Sequence, residues 1–306
     1  MNLGFLAREG VFSAAHAREL GIGSSSLRRC VQGGTAFPLH RGWYAVRPPR
    51  DERDRHRLRT SALLQEYAGD AVACHGSAVV WLGLPTERVD LGTVHLMWVG
   101  PDVAFRSYSR VRMHEAIDHP RLPCRQETVH PALAVVQSGL LDVRSMLVAG
   151  DEALRRGTVT RDELQAAAAA LRGQRGLVQA RAAIPWFDAR HESPGETMTA
   201  YVLRGLGYEV EPQFKPGSRG PGGSPERADF RIKGTRVLVE FDGAVKYAAD
   251  SPEQAQALLF AEKRREDGFR LLGYEVVRLT WADLHRPGEV RARIEAALAR
   301  SRLRAG

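Results

Sequence analysis

The sequence predicts a multi-domain α/β protein, with a small helical module closed by a hairpin, an α+β middle region and a C-terminal α/β domain. Three observations carry this. At 306 residues the chain exceeds one typical domain. Its first 46 residues run through short helical patterns with glycine stops and then two strand-like stretches. From about Ser193 the order of helix starts, apolar strands and glycine stops reads α-β-β-β-α-β-α.

Gly4 to Gly10 reads as a short first helix. Ser13 is placed as the N-cap of a second, with Ala14, Ala15, Ala17 and Leu20 inward and Gly21 as its stop. Ser24, Ser25 and Ser26 cap a third, which carries Leu27, Arg28, Arg29, Cys30 and Val31 and ends at Gly33-Gly34. Ala36 to Val46 then folds back about Arg41-Gly42 as two short strands. Helix–turn–helix followed by a β-wing is a winged helix-turn-helix pattern. Its third helix would lie in a DNA major groove, with Ser24, Ser25, Ser26, Arg28 and Arg29 facing bases and phosphates, and Arg41 at the wing tip on the backbone or minor groove. The alternative is a winged helix used for protein contacts.

Charge points the same way. The formal net charge is +8, and residues 1–60 hold eleven arginines (8, 18, 28, 29, 41, 47, 50, 53, 55, 57, 59) against five acids (Glu9, Glu19, Asp51, Glu52, Asp54). A basic end of this kind is the electrostatic footprint of a polyanion binder. The four lysines, Lys215, Lys233, Lys246 and Lys263, all lie in the C-terminal third, where a compact ammonium with an adjustable pKa has chemical uses that arginine lacks.

These N-terminal helices ("GVFSAAHARELGIGSSSLRRCVQGG") and hairpin ("LHRGWYAV") resemble the winged-helix domain of AbiEi-type antitoxins of type IV toxin–antitoxin systems, over about one sixth of the chain. The resemblance implies double-stranded DNA as a partner, and a cognate toxin or a second copy of the chain as protein partners.

Residues 51–67 read as a charged helix, and Ala71 to Leu84 as an apolar helix in which His75 and Ser77 cap or pack. Val94–Val99 and Val111–His114 are strand-like; Val129–Leu147 and Asp151–Leu171 are helical. His95, His114, His119 and His130 show no i, i+4 ligand pairing, so no metal site is expected here. The three cysteines, Cys30, Cys74 and Cys124, are widely spaced and form no C-x-x-C, which argues against a disulfide framework and a cysteine zinc site. With no bilayer-length apolar run and no signal-peptide pattern, a reducing cytoplasm is the expected location.

The C-terminal pattern opens at Ser193-Pro194-Gly195-Glu196, a serine cap with proline and an acid in the first turn. A strand ending at Phe214, a Gly/Pro-rich loop (216–225), two strands carrying Asp229 and Glu240, a helix over Leu258–Leu272, a strand over Tyr274–Leu279 and a helix over Pro287–Arg300 follow. Asp229 and Glu240 are eleven positions apart, which fits neighbouring antiparallel strands joined at Lys233-Gly234-Thr235. Carboxylates crowded at strand ends repel one another, and a divalent cation with hard oxygen ligands is the usual remedy.

Ser193-Pro194-x-Glu196, Gln213, Ala228-Asp229-Phe230, Glu240-Phe241-Asp242-Gly243, Lys246-Tyr247, the charged run 262–267 and Gly273 to Arg278 together resemble the PD-(D/E)xK nuclease fold. They are closest to its DUF559 branch, related to very-short-patch-repair endonucleases. The resemblance implies a Mg²⁺- or Mn²⁺-dependent endonuclease, with metal held by Asp229 and Glu240, joined by Asp242, and Glu196 positioning the metal or its water. Asp242 stands where the family's lysine belongs; Lys246 is the nearest substitute, and Lys263 on the next helix is the other. No cysteines follow to build the zinc site of the repair enzymes. The expected organisation is residues 1–50 as the DNA-binding module, 51–189 as a connecting region and 190–306 as the nuclease-like domain. The competing reading is a non-catalytic regulator of antitoxin type, its strand acids paired with Arg264 or Arg278.

Overall fold

The computed structural model describes residues 3–100, 106–217, 226–243 and 252–303, the side chains of 106–108, 252–259, 261 and 262 excepted. Among these residues the chain is a mixed α/β protein with 12 α-helices and three small sheets. It divides into two units, Met1–Phe187 and Asp188–Gly306.

In the first unit a 3-10 turn over Gly4–Leu6 and strand β1 (Val11–Ser13) precede helix α1 (Ala14–Glu19). The Ser13 hydroxyl accepts from the His16 N–H at 3.0 Å, closing the expected cap. Helix α2 (Ser24–Gln32) starts one residue earlier than the serines suggest. Extended Gly23 is its N-cap, and the serines lie inside the first turn. Strands β2 (Phe37–His40) and β3 (Trp43–Ala45) turn at Arg41-Gly42, where Gly42 adopts φ 78°. The sheet order is β1-β3-β2, antiparallel throughout. Leu6, Phe12, Ala17, Leu27 and Cys30 fill the space between helices and sheet. Helix α3 (Glu52–Glu66), capped by Asp51, sends Leu58 and Ala62 into a core shared with Val11 and Ala45. The N-terminal module therefore packs as part of this unit.

The predicted helix over 71–84 is instead a strand, β4 (Ala71–Ala73), and a shorter helix, α4 (His75–Trp81). A short apolar run without a polar face suits either element, and here pairing with β5 (Val94–Trp98) claims its first three residues. Strands β6 (Arg106–Tyr108) and β7 (Val111–His114) complete the order β4-β5-β7-β6, with β5 and β7 parallel. The predicted helix over 129–147 breaks into α5 (Pro131–Gly139) and α6 (Val143–Arg155), because Asp142 caps a new start. The one predicted over 151–171 is the end of α6 and then α7 (Arg161–Ala170), divided at Gly157 (φ 66°) and restarted by a Thr160/Glu163 capping box. Helix α8 (Leu177–Ala183) follows.

The second unit begins with α9 (Pro194–Gly205), capped by Ser193. Strands β8 (Val210–Phe214), β9 (Ala228–Ile232) and β10 (Val237–Phe241) form an antiparallel meander. Helix α10 (Pro252–Leu271) then crosses to β11 (Glu275–Leu279), parallel to β10, for the order β11-β10-β9-β8. Helix α10 starts six residues before the predicted Leu258. A short α11 (Trp281–Leu284), set by a Thr280/Asp283 capping box, precedes α12 (Pro287–Leu303). Burial alternates along β9, with Ala228, Phe230 and Ile232 inward and Asp229 and Arg231 on the opposite face. Among the described residues no helix is long and apolar enough to cross a membrane.

Candidate functional site

Three acids of the second unit come from three different elements. Glu196 sits in the first turn of α9, Asp229 on β9 and Glu240 on β10. The β9–β10 register pairs Val239 with Phe230, and one step further sets Glu240 against Asp229. Each acid is held. Asp229 Oδ2 accepts from the Phe241 N–H at 2.8 Å. Glu196 Oε2 accepts from the Gln213 amide at 2.8 Å and the Glu192 N–H at 3.0 Å, and its Oε1 from the Ser193 hydroxyl at 3.0 Å. Gln213 takes φ 56°, a left-handed conformation that a non-glycine residue adopts only under tertiary constraint. Burial pushes the Glu196 carboxyl above its ordinary pKa, opposed by the Glu192 N–H and reinforced by the charge on Asp229.

Glu240 is 4% exposed and meets the Arg265 guanidinium at 2.9 Å; Arg278 Nε stands 4.0 Å from its second oxygen. Arg278 also binds Glu266 at 2.8 Å. Arg265 thus takes the place the sequence offered to Arg264, which is exposed. Asp242 is half-buried, its N–H donating to the Leu279 carbonyl at 2.8 Å. Lys263 is exposed on α10, and Lys246 lies outside the described residues. The donors Glu196, Asp229 and Glu240 are hard oxygens of the kind a Mg²⁺-class cation takes, and the charge on Asp229 reaches Glu196, but their donor atoms do not all lie within 4.8 Å of one another. Arg265 supplies positive charge at Glu240 in the arrangement described.

In the first unit a groove of about 440 Å³ runs between α2 and the β2–β3 hairpin. Ser24, Arg28 and Arg41 line it, joined by Arg18 and His40, which the sequence reading did not single out. Ser25, Ser26 and Arg29 do not line it; Arg29 instead donates to the Ser26 hydroxyl at 3.2 Å.

A second constellation escaped the sequence reading. Histidines that look scattered along the chain meet in the fold. His75 opens α4, His95 lies on β5 and His114 ends β7. The ring centroids of His75 and His114 are 4.1 Å apart, and His95 lies 5.2 Å from each. His95 Nδ1 is 2.9 Å from His114 Nε2, and His75 Nδ1 is 3.2 Å from Cys74 Sγ. Among the described residues, Cys74, His75 and His114 form the group of potential metal ligands whose donor atoms all lie within 4.8 Å of one another. Burial drives the His75 imidazole pKa far down and takes His95 to about 3 and His114 to about 4, so the rings are neutral near pH 7. Only strand pairing reveals the group, although the Cys74-His75 dipeptide was visible in the sequence. His119 and His130 stand apart, the latter capping α5 through the Ala132 N–H.

No family model matches the chain. Two Mycobacterium tuberculosis proteins, uncharacterized protein MT2308 and uncharacterized protein Rv2248, are each 30% identical to it over 268 residues, which is 87% of this chain and 94% of theirs. With that identity sustained across both units, the chain belongs to the same family as these two mycobacterial proteins.

Proposed function

We propose that this protein binds double-stranded DNA through its N-terminal winged helix and hydrolyses phosphodiester bonds with a PD-(D/E)xK-type domain of the DUF559 branch. The observation that supports the reading is the placement of Glu196 at a helix start and of Asp229 and Glu240 on two neighbouring strands of an αβββαβ core. Asp229 and Glu240, joined by Asp242, would hold Mg²⁺ or Mn²⁺, and Glu196 would orient water beside them. When bound, the cation polarises the scissile phosphate and lowers the pKa of the attacking water. Gln213 and Ser193 fix the Glu196 carboxylate, so it enters the reaction without reorganising. Lys263 or Lys246 would stabilise charge developing on the phosphate. Arg18, Arg28 and Arg41 around the α2 groove support phosphate contact by the first unit.

A second reading has its own observation. Arg265 already neutralises Glu240, and Asp242 stands at the family's lysine position. A regulator of the AbiEi antitoxin type, with a retained but inactive nuclease fold, would look like this. The test is supercoiled plasmid incubated with the full chain and Mg²⁺ or Mn²⁺, beside EDTA and Asp229→Ala. The nuclease reading expects nicking that both controls abolish while DNA binding persists. Folded protein that shifts DNA yet nicks with neither metal overturns it in favour of the regulator.

A further inference from the structure

We infer that Cys74, His75 and His114 form a binding site for a transition metal of the zinc class, separate from the carboxylates of the second unit. Around a tetrahedral zinc, a thiolate and an imidazole nitrogen stand about 3.6 Å apart, given bond lengths near 2.3 and 2.0–2.1 Å. The Cys74–His75 separation of 3.2 Å, and the 4.8 Å limit that encloses all three donors, leave adjustments of no more than about 1.5 Å to make. A thiolate with two imidazoles is a borderline-soft set that selects zinc, cobalt or copper over magnesium.

The backbone is arranged for this. His75 adopts φ 50°, a left-handed conformation costly for a residue with a Cβ, and its N–H is anchored by the buried Gln137 carboxamide at 3.1 Å. Such strain at a helix start persists where the surroundings fix the side chain's direction. His95, bonded to His114, is placed to set that ring's tautomer and orientation, as outer-shell partners do in metal sites. A cavity of about 210 Å³ opens onto His75 and His114 and is lined further by Glu115, Gln137 and Gln174. Cys74 is buried behind this cavity while His75 and His114 face it, which leaves the fourth position to water or a small anionic ligand, the open pattern of a reactive rather than a purely structural zinc. Binding requires the Cys74 thiol to release its proton to solvent.

The test is a titration of metal-free full-length protein with Co²⁺ followed by optical spectroscopy, and then displacement by Zn²⁺. The expected result is one equivalent that carries the intense visible bands of a four-coordinate ion and a near-ultraviolet thiolate-to-cobalt transition. Cys74→Ser should lose that transition, Asp229→Ala should keep it, and His95→Gln should weaken Co²⁺ binding by roughly 10- to 100-fold. Wild-type protein that gives no thiolate transition at saturating Co²⁺ overturns the assignment, whatever the variants do. So does a transition that survives in folded Cys74→Ser, which would move it to Cys30 or Cys124. Should Cys74→Ser not fold, loss of the transition in His114→Gln supports the site, and its persistence there refutes it.

Discussion

Gly195 lies where the backbone of α9 touches β10. A Cβ added there would stand 2.0 Å from Cε1, 2.3 Å from Cδ1 and 2.4 Å from Cζ of Phe241. Ordinary contact begins near 3.4 Å, so the ring must retreat by more than 1 Å. It has little room, being 8% exposed and packed edge-on against Trp281 with centroids 5.1 Å apart. Overpacking of this kind costs about 1–3 kcal/mol. Alanine's better helix propensity returns at most about 1 kcal/mol, and less in a first turn. Gly195→Ala should therefore destabilise the second unit by about 1–2 kcal/mol and lower its melting transition by several degrees. Because Phe241 sits between Glu240 and Asp242 and its N–H holds Asp229, any cleavage activity should fall with it. Calorimetry of the full chain reads the first effect and plasmid nicking the second. Phe241→Leu should make room, so the double variant should be more stable than the sum of the single losses. A Gly195→Ala protein as stable as wild type, with an additive double variant, would refute the close-packing argument.

Two further outcomes follow from the first unit. Replacing Arg28, Arg29 and Arg41 by alanine should weaken DNA binding and reduce the slope of log affinity against log salt by about 0.9 for each arginine that neutralises a phosphate, read by fluorescence anisotropy at several salt concentrations. Arg28 and Arg41, which share the groove, should matter more than Arg29. Asp54 is held at a pKa of about 2, below its ordinary 3.8, chiefly by a bidentate bond from Arg47. Its folded value is the lower one, so its contribution is complete above the unfolded pKa and is lost as pH falls through about 2. The Arg47 side chain is 38% exposed, so solvent screening limits the contribution to the order of 1 kcal/mol. Urea unfolding between pH 5 and pH 2 should show that loss in wild type and a flatter dependence in Asp54→Asn.

The Arg265–Glu240 contact decides between catalyst and remnant on physical grounds. A guanidinium 2.9 Å from a 4%-exposed carboxylate has already repaid much of that charge's desolvation. A divalent cation at Glu240 must either share the carboxylate with Arg265 or displace it. Metal-dependent nicking would require that the cation engage Glu240 despite Arg265.

Much of the molecule was written locally. Ser13, Asp51 and Ser193 cap the helices they precede, and Gly42 and Gly234 turn the hairpins the sequence placed there. The strands carrying Asp229 and Glu240 were readable because their apolar β-like runs, spacing and turn agree with one another. These signals act over a few residues, where propensity and capping dominate. Other features depend on partners far along the chain. Ala71–Ala73 became a strand because β5 offered it a hydrogen-bonding edge, and the helices predicted over 129–171 broke where caps competed with apolar periodicity. Arg265 rather than Arg264 reached Glu240 because helix α10 crosses the sheet in one rotational setting, which packing alone selects. Cys74 and His75 meet His114 only because β5 lies between β4 and β7. By itself the sequence determined several helix caps, the two hairpin turns and that Asp229 and Glu240 share a sheet, since those rest on local backbone chemistry. Tertiary structure alone decided which charges are neutralised and which histidines meet, since both depend on strand order and helix rotation.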